Sequence, residues 1–137
     1  NNPRLHIPIF GNGDVDSPEK AREYRDKYGV DGIMIGRAAI GYPWIFNEIK
    51  HFFATGELLP PPTMMDRIEA AKNHLQWAME WKGEHLGIVE TRRHYTNYFK
   101  GIHNFKEYRQ RLVTLDHREE LLAVFDEIAE VYGNYAF

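Results

Sequence analysis

The sequence predicts an α/β part followed by an all-α part, and three observations indicate this division. Two short apolar segments, residues 7–10 and 33–35, each precede a polar turn with glycine and then a helical pattern. A proline-rich segment over 58–62 can neither continue a helix nor pair inside a sheet. Four amphipathic helical patterns with short connections follow it. We therefore expect an α/β part over residues 1–56, a linker over 57–62 and a helical domain over 63–137.

The elements of the α/β part follow from start and stop signals along the chain. Ser before Pro and Glu is typical of a helix N-terminus, and glycine after the last apolar position is typical of its end. A strand, a helix and a second strand in succession form a parallel βαβ step. In order, the predicted elements are a strand over 7–10, a helix from Pro18 to Gly29 with Ser17 as its N-cap, a strand over 33–35, and a helix from Pro43 to Gly56.

The two turns that follow these strands point to a phosphate-bearing ligand. The last two βα units of a (β/α)8 barrel hold phosphate in this way, because backbone N–H groups and the positive end of a helix dipole face it. Arg37 would add a planar fork of donors. Each turn alone also fits an ordinary tight connection, so it is their succession that favours a ligand. The two turns are Gly11-Asn12-Gly13-Asp14 and Gly36-Arg37-Ala38, in which Asp14 is more simply explained as a turn or helix-dipole residue than as a phosphate contact.

The length of the chain limits what these turns can belong to. A complete (β/α)8 barrel needs about 250 residues, and this chain has 137. We therefore predict the last βαβα part of a TIM (β/α)8 barrel, followed by a small four-helix bundle. The bundle helices are expected from Thr63 with Asp66 to Gly83, from Glu84 to Lys100, from a cap at Asn104 with Glu107, and from a cap at Asp116 with Glu119.

Charge is distributed unevenly over the helical domain. The net charge is −3, but residues 91–118 carry seven basic and two acidic side chains, whereas residues 119–137 carry five acidic ones and no base. Tyr95, Tyr98 and Phe99 lie among the basic residues. Basic and aromatic side chains together favour RNA binding, and a solvated helix face is the alternative.

Several function classes are excluded or left without support. The chain has no cysteine, which excludes disulfides and thiolate metal sites and is typical of a cytoplasmic protein. Its histidines show no metal-ligand spacing, and no apolar segment approaches the roughly 18 residues of a membrane span. No catalytic constellation stands out either. Trp44, Trp77 and Trp81 are most simply explained by packing in a core or between domains.

The ordered motifs resemble bacterial tRNA-dihydrouridine synthases, and the B-type group most closely. Residues 7–14 and 31–39, with Gly41, Pro43 and Trp44, are similar to the end of that family's barrel. The segment Arg92-Arg93-His94, residues 98–101 and Arg109 are similar to a motif of its C-terminal helical domain.

This resemblance implies an FMN enzyme that reduces a D-loop uridine of tRNA with NADPH. In that family the flavin passes a hydride to C6 of the uracil, and a cysteine on an earlier barrel loop protonates C5. By this resemblance, five turn residues would hold the FMN phosphate, namely Asn12, Gly13, Asp14, Gly36 and Arg37. Since this chain has no cysteine, we expect a C-terminal fragment that is inactive alone. The implied tRNA contacts are Arg92, Arg93, His94, Lys100 and Arg109.

Two alternatives remain open at this point. One is another FMN- or phosphate-binding barrel oxidoreductase, and the other is a non-enzymatic helical interaction module. The apolar strands are of the kind that barrel neighbours bury on both faces. Without those neighbours, we expect the α/β part to pair with a second copy and form a dimer.

Overall fold

The computed structural model describes residues 3–4 and 6–137 and divides the chain into two compact units, Asn1–Pro60 and Pro61–Phe137. Within the described residues, the first unit holds two α-helices and a two-stranded parallel sheet, and the second holds four α-helices. This confirms a mixed α/β part followed by a helical part. None of the helices in the described ranges is long and apolar enough to cross a membrane.

The α/β unit follows the predicted order of elements. Ser17 accepts a hydrogen bond from the Lys20 backbone N–H at 3.2 Å, as an N-cap residue should. Gly29 ends the first helix in the left-handed conformation, and Gly56 ends the second in the same way. The elements are β1 (Phe10–Gly11), α1 (Pro18–Tyr28), β2 (Gly32–Ile33), a 3₁₀ turn (Arg37–Ala39) and α2 (Ile45–Thr55).

The two strands are shorter than predicted and displaced along the chain. Phe10 pairs with Gly32, and Gly11 pairs with Ile33. Ile7, which the apolar pattern placed in the first strand, lies outside it and is 67% exposed. The physical reason is that each strand has one neighbour in the described part of the chain, and a two-stranded ladder has little to stabilise its ends.

The helical unit consists of α3 (Met64–Lys82), α4 (Glu84–Tyr98), α5 (Lys106–Thr114) and α6 (Arg118–Tyr132). Thr63 and Asp66 form the predicted capping box at the start of α3, with backbone-to-side-chain distances of 3.1 and 2.8 Å. The core of this unit is dominated by aliphatic and aromatic side chains. Its largest fully buried members are Tyr95, Phe99, Phe105, Phe125, Met64 and Leu75.

Two predicted caps and one helix end are wrong. Asn104 has a φ of 55° and does not cap α5, which begins at Lys106 after Phe105. Asp116 does not cap α6, because its carboxylate accepts a hydrogen bond from Arg92 at 2.6 Å. Helix α4 ends at Tyr98 rather than Lys100. Long-range contacts override the local capping pattern at Asp116.

Gly87 sets the distance between α3 and α4. A Cβ atom on Gly87 would lie 2.6 Å from the Met79 backbone N and Cα atoms and 2.8 Å from the Ala78 carbonyl carbon. These atoms belong to the backbone of a neighbouring helix, so no side-chain rotation can relieve the overlap. The close approach of the two helices therefore requires glycine at this position.

We predict that Gly87→Ala destabilises the helical unit. The added methyl group forces α3 and α4 apart, and overpacking of this kind costs about 1–3 kcal/mol or more in the free energy of unfolding. Thermal denaturation followed by circular dichroism measures the loss. Val89→Ala, at a 38% exposed position of the same helix, is the control and should stay within about 0.5 kcal/mol of the wild type. Equal stability of both variants would contradict the close approach.

Candidate functional site

The five turn residues that the sequence singled out line one cavity of the α/β unit. Its volume is about 320 Å³. Gly13 has a φ of 140°, which favours glycine, and its carbonyl accepts a hydrogen bond from the Tyr24 hydroxyl at 2.8 Å. Tyr24 thus ties the first turn to α1. The cavity is lined by Asn12, Gly13, Asp14, Val15, Met34, Gly36, Arg37 and Ala38.

Arg37 and Asp14 form a two-pronged ion pair across this cavity. Arg37 Nη2 lies 2.6 and 2.5 Å from the two Asp14 carboxylate oxygens, and Arg37 Nε lies 3.0 Å from Oδ1. The guanidinium therefore already presents its planar fork to a pair of anionic oxygens. Both side chains are largely exposed, at 80% and 60%, so the pair itself adds little to stability.

Gly36 has open space where a side chain would begin. No atom lies within 4 Å of a Cβ built on this residue, and its φ is −108°. Neither crowding within the protein nor a left-handed backbone therefore requires glycine here. A cavity wall left open beside a guanidinium fork fits an anionic group such as a phosphate.

The second turn differs from the prediction in one respect. It leads into a 3₁₀ turn of three residues, and α2 begins only at Ile45. Gly41, at a φ of 64°, takes the left-handed conformation between the two and interrupts the helical backbone. An α-helix dipole therefore does not point at the cavity from this side, and Arg37 is the main positive charge there.

Arg92 differs from the other predicted tRNA contacts, because its side chain is bound within the fold. Arg92 donates to the Leu115 carbonyl at 3.2 Å and to Asp116 at 2.6 Å. It therefore holds the connection between α5 and α6 to α4. Its side chain is only 24% exposed. A positioning role within the fold accounts for these contacts.

Arg93 and His94 instead face a cavity of about 260 Å³ between α3 and α4. The rings of His94 and His74 lie 4.3 Å apart, and His74 Nδ1 is 3.0 Å from the Tyr98 hydroxyl. Burial, with smaller contributions from His74 and Arg93, lowers the pKa of His94 to about 4. Burial and then the Arg93 charge also lower the pKa of His74. The His94 ring is therefore uncharged at neutral pH.

Ion pairs neutralise part of the positive charge of residues 91–118. Arg111 pairs with Glu127 at 2.6 Å, and Arg92 pairs with Asp116. Arg93 and Lys100 are exposed, and Arg109 is half-buried with its Nε atom buried and without a hydrogen-bond partner. No salt bridge involves these three cations within residues 3–4 and 6–137. Lys106 and Arg118 are likewise exposed and form no salt bridge in the described part of the chain, so five of the seven basic residues of 91–118 remain available to a polyanion.

Sequence reasoning placed the tryptophans in packed positions, and the structure corrects two of them. Trp77 is 66% exposed and Trp81 is 82% exposed, and both line the cavity between α3 and α4. Their spacing of one helical turn was visible in the sequence, but helical periodicity alone does not say which face is buried. Across the described part of the chain, no group of histidine and acidic side chains could hold a metal ion.

Comparison with known proteins identifies relatives for both units. The family model described as "Dihydrouridine synthase (Dus)" matches residues 2–132. The tRNA-dihydrouridine synthase B of Pseudomonas putida is 43% identical over 112 residues, which cover 82% of this chain and 33% of that protein. The tRNA-dihydrouridine synthase B of Xanthomonas axonopodis is 45% identical over 96 residues, 70% of this chain and 29% of that protein.

A third relative extends the match along the chain. The probable tRNA-dihydrouridine synthase of Rickettsia conorii is 35% identical over 128 residues, which cover 93% of this chain and 38% of that protein. The chain thus spans about a third of the length of the curated relatives it matches. The synthase B names agree with the B-type resemblance of the motifs. Since the family model covers nearly the whole sequence, the chain belongs to the dihydrouridine synthase family.

Proposed function

We propose that this chain supplies the phosphate end of an FMN site and an RNA-binding helical domain to a tRNA-dihydrouridine synthase. The relatives' names support the reaction, and the juxtaposition of Arg37 with the two glycine-bearing turns is the observation that carries the site. On this proposal, the α/β unit is the last βαβα part of a TIM barrel, the segment 57–62 is a linker, and residues 63–137 form a four-helix bundle. A cytoplasmic location follows from tRNA as the substrate.

The cavity of the α/β unit suits the FMN phosphate. Arg37 would donate to two phosphate oxygens, as it now does to Asp14, and the open wall at Gly36 would admit the group. Asn12 and Gly13 would contribute polar groups from the first turn. Asp14 would hold the guanidinium in place from the other side, since its own charge repels a phosphate. When bound, FMN supplies the hydride that reduces the uridine, with NADPH as the reductant.

The residues of this chain do not complete the reaction by themselves. The chain has no cysteine, so the thiol that the family resemblance assigns to C5 protonation has to come from elsewhere in the enzyme. The two described strands are too few to enclose a flavin ring and exclude water from it. The chain alone is therefore inactive on this proposal.

The helical unit would bind tRNA through cations that the fold leaves without carboxylate partners. Among the predicted tRNA contacts, Arg93, Lys100 and Arg109 meet this description within the described residues, and His94 lies next to Arg93. Arg92 would contribute indirectly, because it holds the connection between α5 and α6. The acidic side chains of α6 would lie away from the RNA.

We predict that Arg37→Ala in the full-length enzyme weakens FMN retention by about 1.5–3 kcal/mol, or about 10- to 150-fold in Kd. The loss reflects a charge-assisted contact with the phosphate. Fluorescence titration of apoenzyme with FMN measures it. Lys27→Ala, at an exposed cation on α1 outside the cavity, is the control and should not change the Kd. Unchanged FMN affinity in Arg37→Ala would remove the assignment.

We predict that Arg93→Ala with Lys100→Ala reduces tRNA affinity and makes its salt dependence shallower. Removing one cation that binds a phosphate should lower the slope of log K against log salt by about 0.7–0.9. Filter binding over a salt series measures this slope. Glu130→Ala on α6 is exposed and should leave it unchanged. If Arg93→Ala with Lys100→Ala has the same salt slope as the wild type, these two side chains are solvated and do not bind RNA phosphates.

We also propose that the α/β unit pairs with a second copy, through its exposed strands and apolar side chains, when the chain is alone. Phe10, Met34 and Phe46 are 66%, 57% and 45% exposed. A neighbouring cavity of about 480 Å³ has a largely apolar lining that includes Phe46, Ile49 and Phe53. Exposed apolar surface of this kind favours association. Sedimentation at micromolar concentration should show a dimer, and Phe46→Asp should shift it to monomer. A monomer at all concentrations would contradict the pairing.

A further inference from the structure

The cavity between α3 and α4, hereafter the α3–α4 groove, combines aromatic and cationic side chains. It is open to solvent on one side of the helix pair, because Trp77 and Trp81 on its wall are mostly exposed. Its volume of about 260 Å³ cannot accommodate an α-helix, which with side chains is about 10–12 Å wide. A single planar group is a better fit. The groove is lined by His74, Trp77, Ala78, Trp81, Lys82, Glu90, Thr91, Arg93 and His94.

The two indole rings of the groove form an aromatic surface on α3. Trp77 and Trp81 are four residues apart, so they lie one above the other on the same face of the helix. At 66% and 82% exposure, neither contributes much to the core. Exposed rings of this size beside a cation are typical of sites that stack nucleobases.

The charges around the rings favour a ligand that carries both an anionic group and a planar base. Arg93 forms no salt bridge in the part of the chain that the structure describes, and its Nε lies 3.4 Å from His94 Nε2. Glu90, the carboxylate of the groove, is ion-paired with Lys82. The Lys82 ammonium also lies 5.1 Å from the Trp81 ring centroid. Among the described lining residues, Arg93 is thus the cation that forms no salt bridge. The hydrogen bond from Lys82, and to a smaller extent the charges of Lys82 and Arg93, lower the pKa of Glu90.

We propose that the α3–α4 groove binds one unpaired nucleotide of the RNA, with the base stacked on Trp77 or Trp81 and its phosphate held by Arg93. This inference rests on the proposed RNA-binding function and adds the tryptophans to it. The nucleotide has to be unpaired, because the faces of bases in a helix are covered by their neighbours, and the deep, narrow major groove of A-form RNA does not admit side chains. His74 and His94 also line the groove, with their ring centroids 4.3 Å apart.

The test compares two RNA probes on the 137-residue chain. One is a stem-loop with a seven-nucleotide single-stranded loop, and the other is a blunt duplex of equal length. Trp77→Leu with Trp81→Leu should weaken stem-loop binding by about 5- to 150-fold and leave duplex binding unchanged. Trp77→Phe with Trp81→Phe should restore most of the affinity, because phenylalanine also stacks. Val131→Ala, at an exposed position of α6, is the control.

The outcomes distinguish this inference from the proposed function. If wild-type chain binds neither probe, the RNA-binding function fails and this inference fails with it. If Arg93→Ala changes the salt dependence of RNA binding but Trp77→Leu with Trp81→Leu binds the stem-loop like wild type, only the stacking site is wrong. Equal loss for stem-loop and duplex would also overturn it. If the leucine variant keeps its RNA affinity and changes only the sedimentation of the chain, the rings form a protein contact, and the inference is overturned.

Discussion

The helical unit depends on the close approach of α3 and α4 at Gly87. Any side chain there would overlap the backbone of α3 near Met79. The helices can therefore lie this close together only because residue 87 has no Cβ atom. That separation brings His74 against His94 and places Arg93 beside the tryptophan face of α3. The core aromatic residues then fill the other side of the pair, where Tyr95 packs on Phe125. The groove is a consequence of packing and needs no loop to build it.

The candidate site of the α/β unit is formed by two backbone turns and by the charged side chains that they carry. Gly13 allows the first turn to fold back toward Tyr24, and Gly36 leaves a wall of the cavity open. Arg37 and Asp14, 23 residues apart in the chain, meet across the cavity because β1 and β2 are parallel neighbours. The sheet thus brings two polar turns to the same edge, which is the general arrangement of ligand sites in parallel α/β structures.

Local chemistry explains which elements could be predicted from the sequence. Ser17, the Thr63–Asp66 box and the terminal glycines act within a few residues, so the helix boundaries they set were correct or nearly so. Prediction failed where a distant residue competes, as at Asp116, which Arg92 binds from 24 residues away. The five turn residues could be predicted to lie together because two short sequence patterns place them after neighbouring parallel strands, and they line one cavity. The groove was not, since its walls come from two helices and exposure decides its character.

The connection between α3 and α4 is the single residue Gly83, at a φ of 84° and a ψ of 164°. A hairpin with so short a link pairs residues that lie at similar chain distances on either side of it, as His74 and His94 do. The number of residues on each side of Gly83 therefore determines which residues of α3 and α4 lie opposite each other. An inserted or deleted residue in either helix would turn the residues beyond it by about 100°. Side chains that now share a cavity would then face different neighbours, so this surface can vary by substitution far more readily than by change in length.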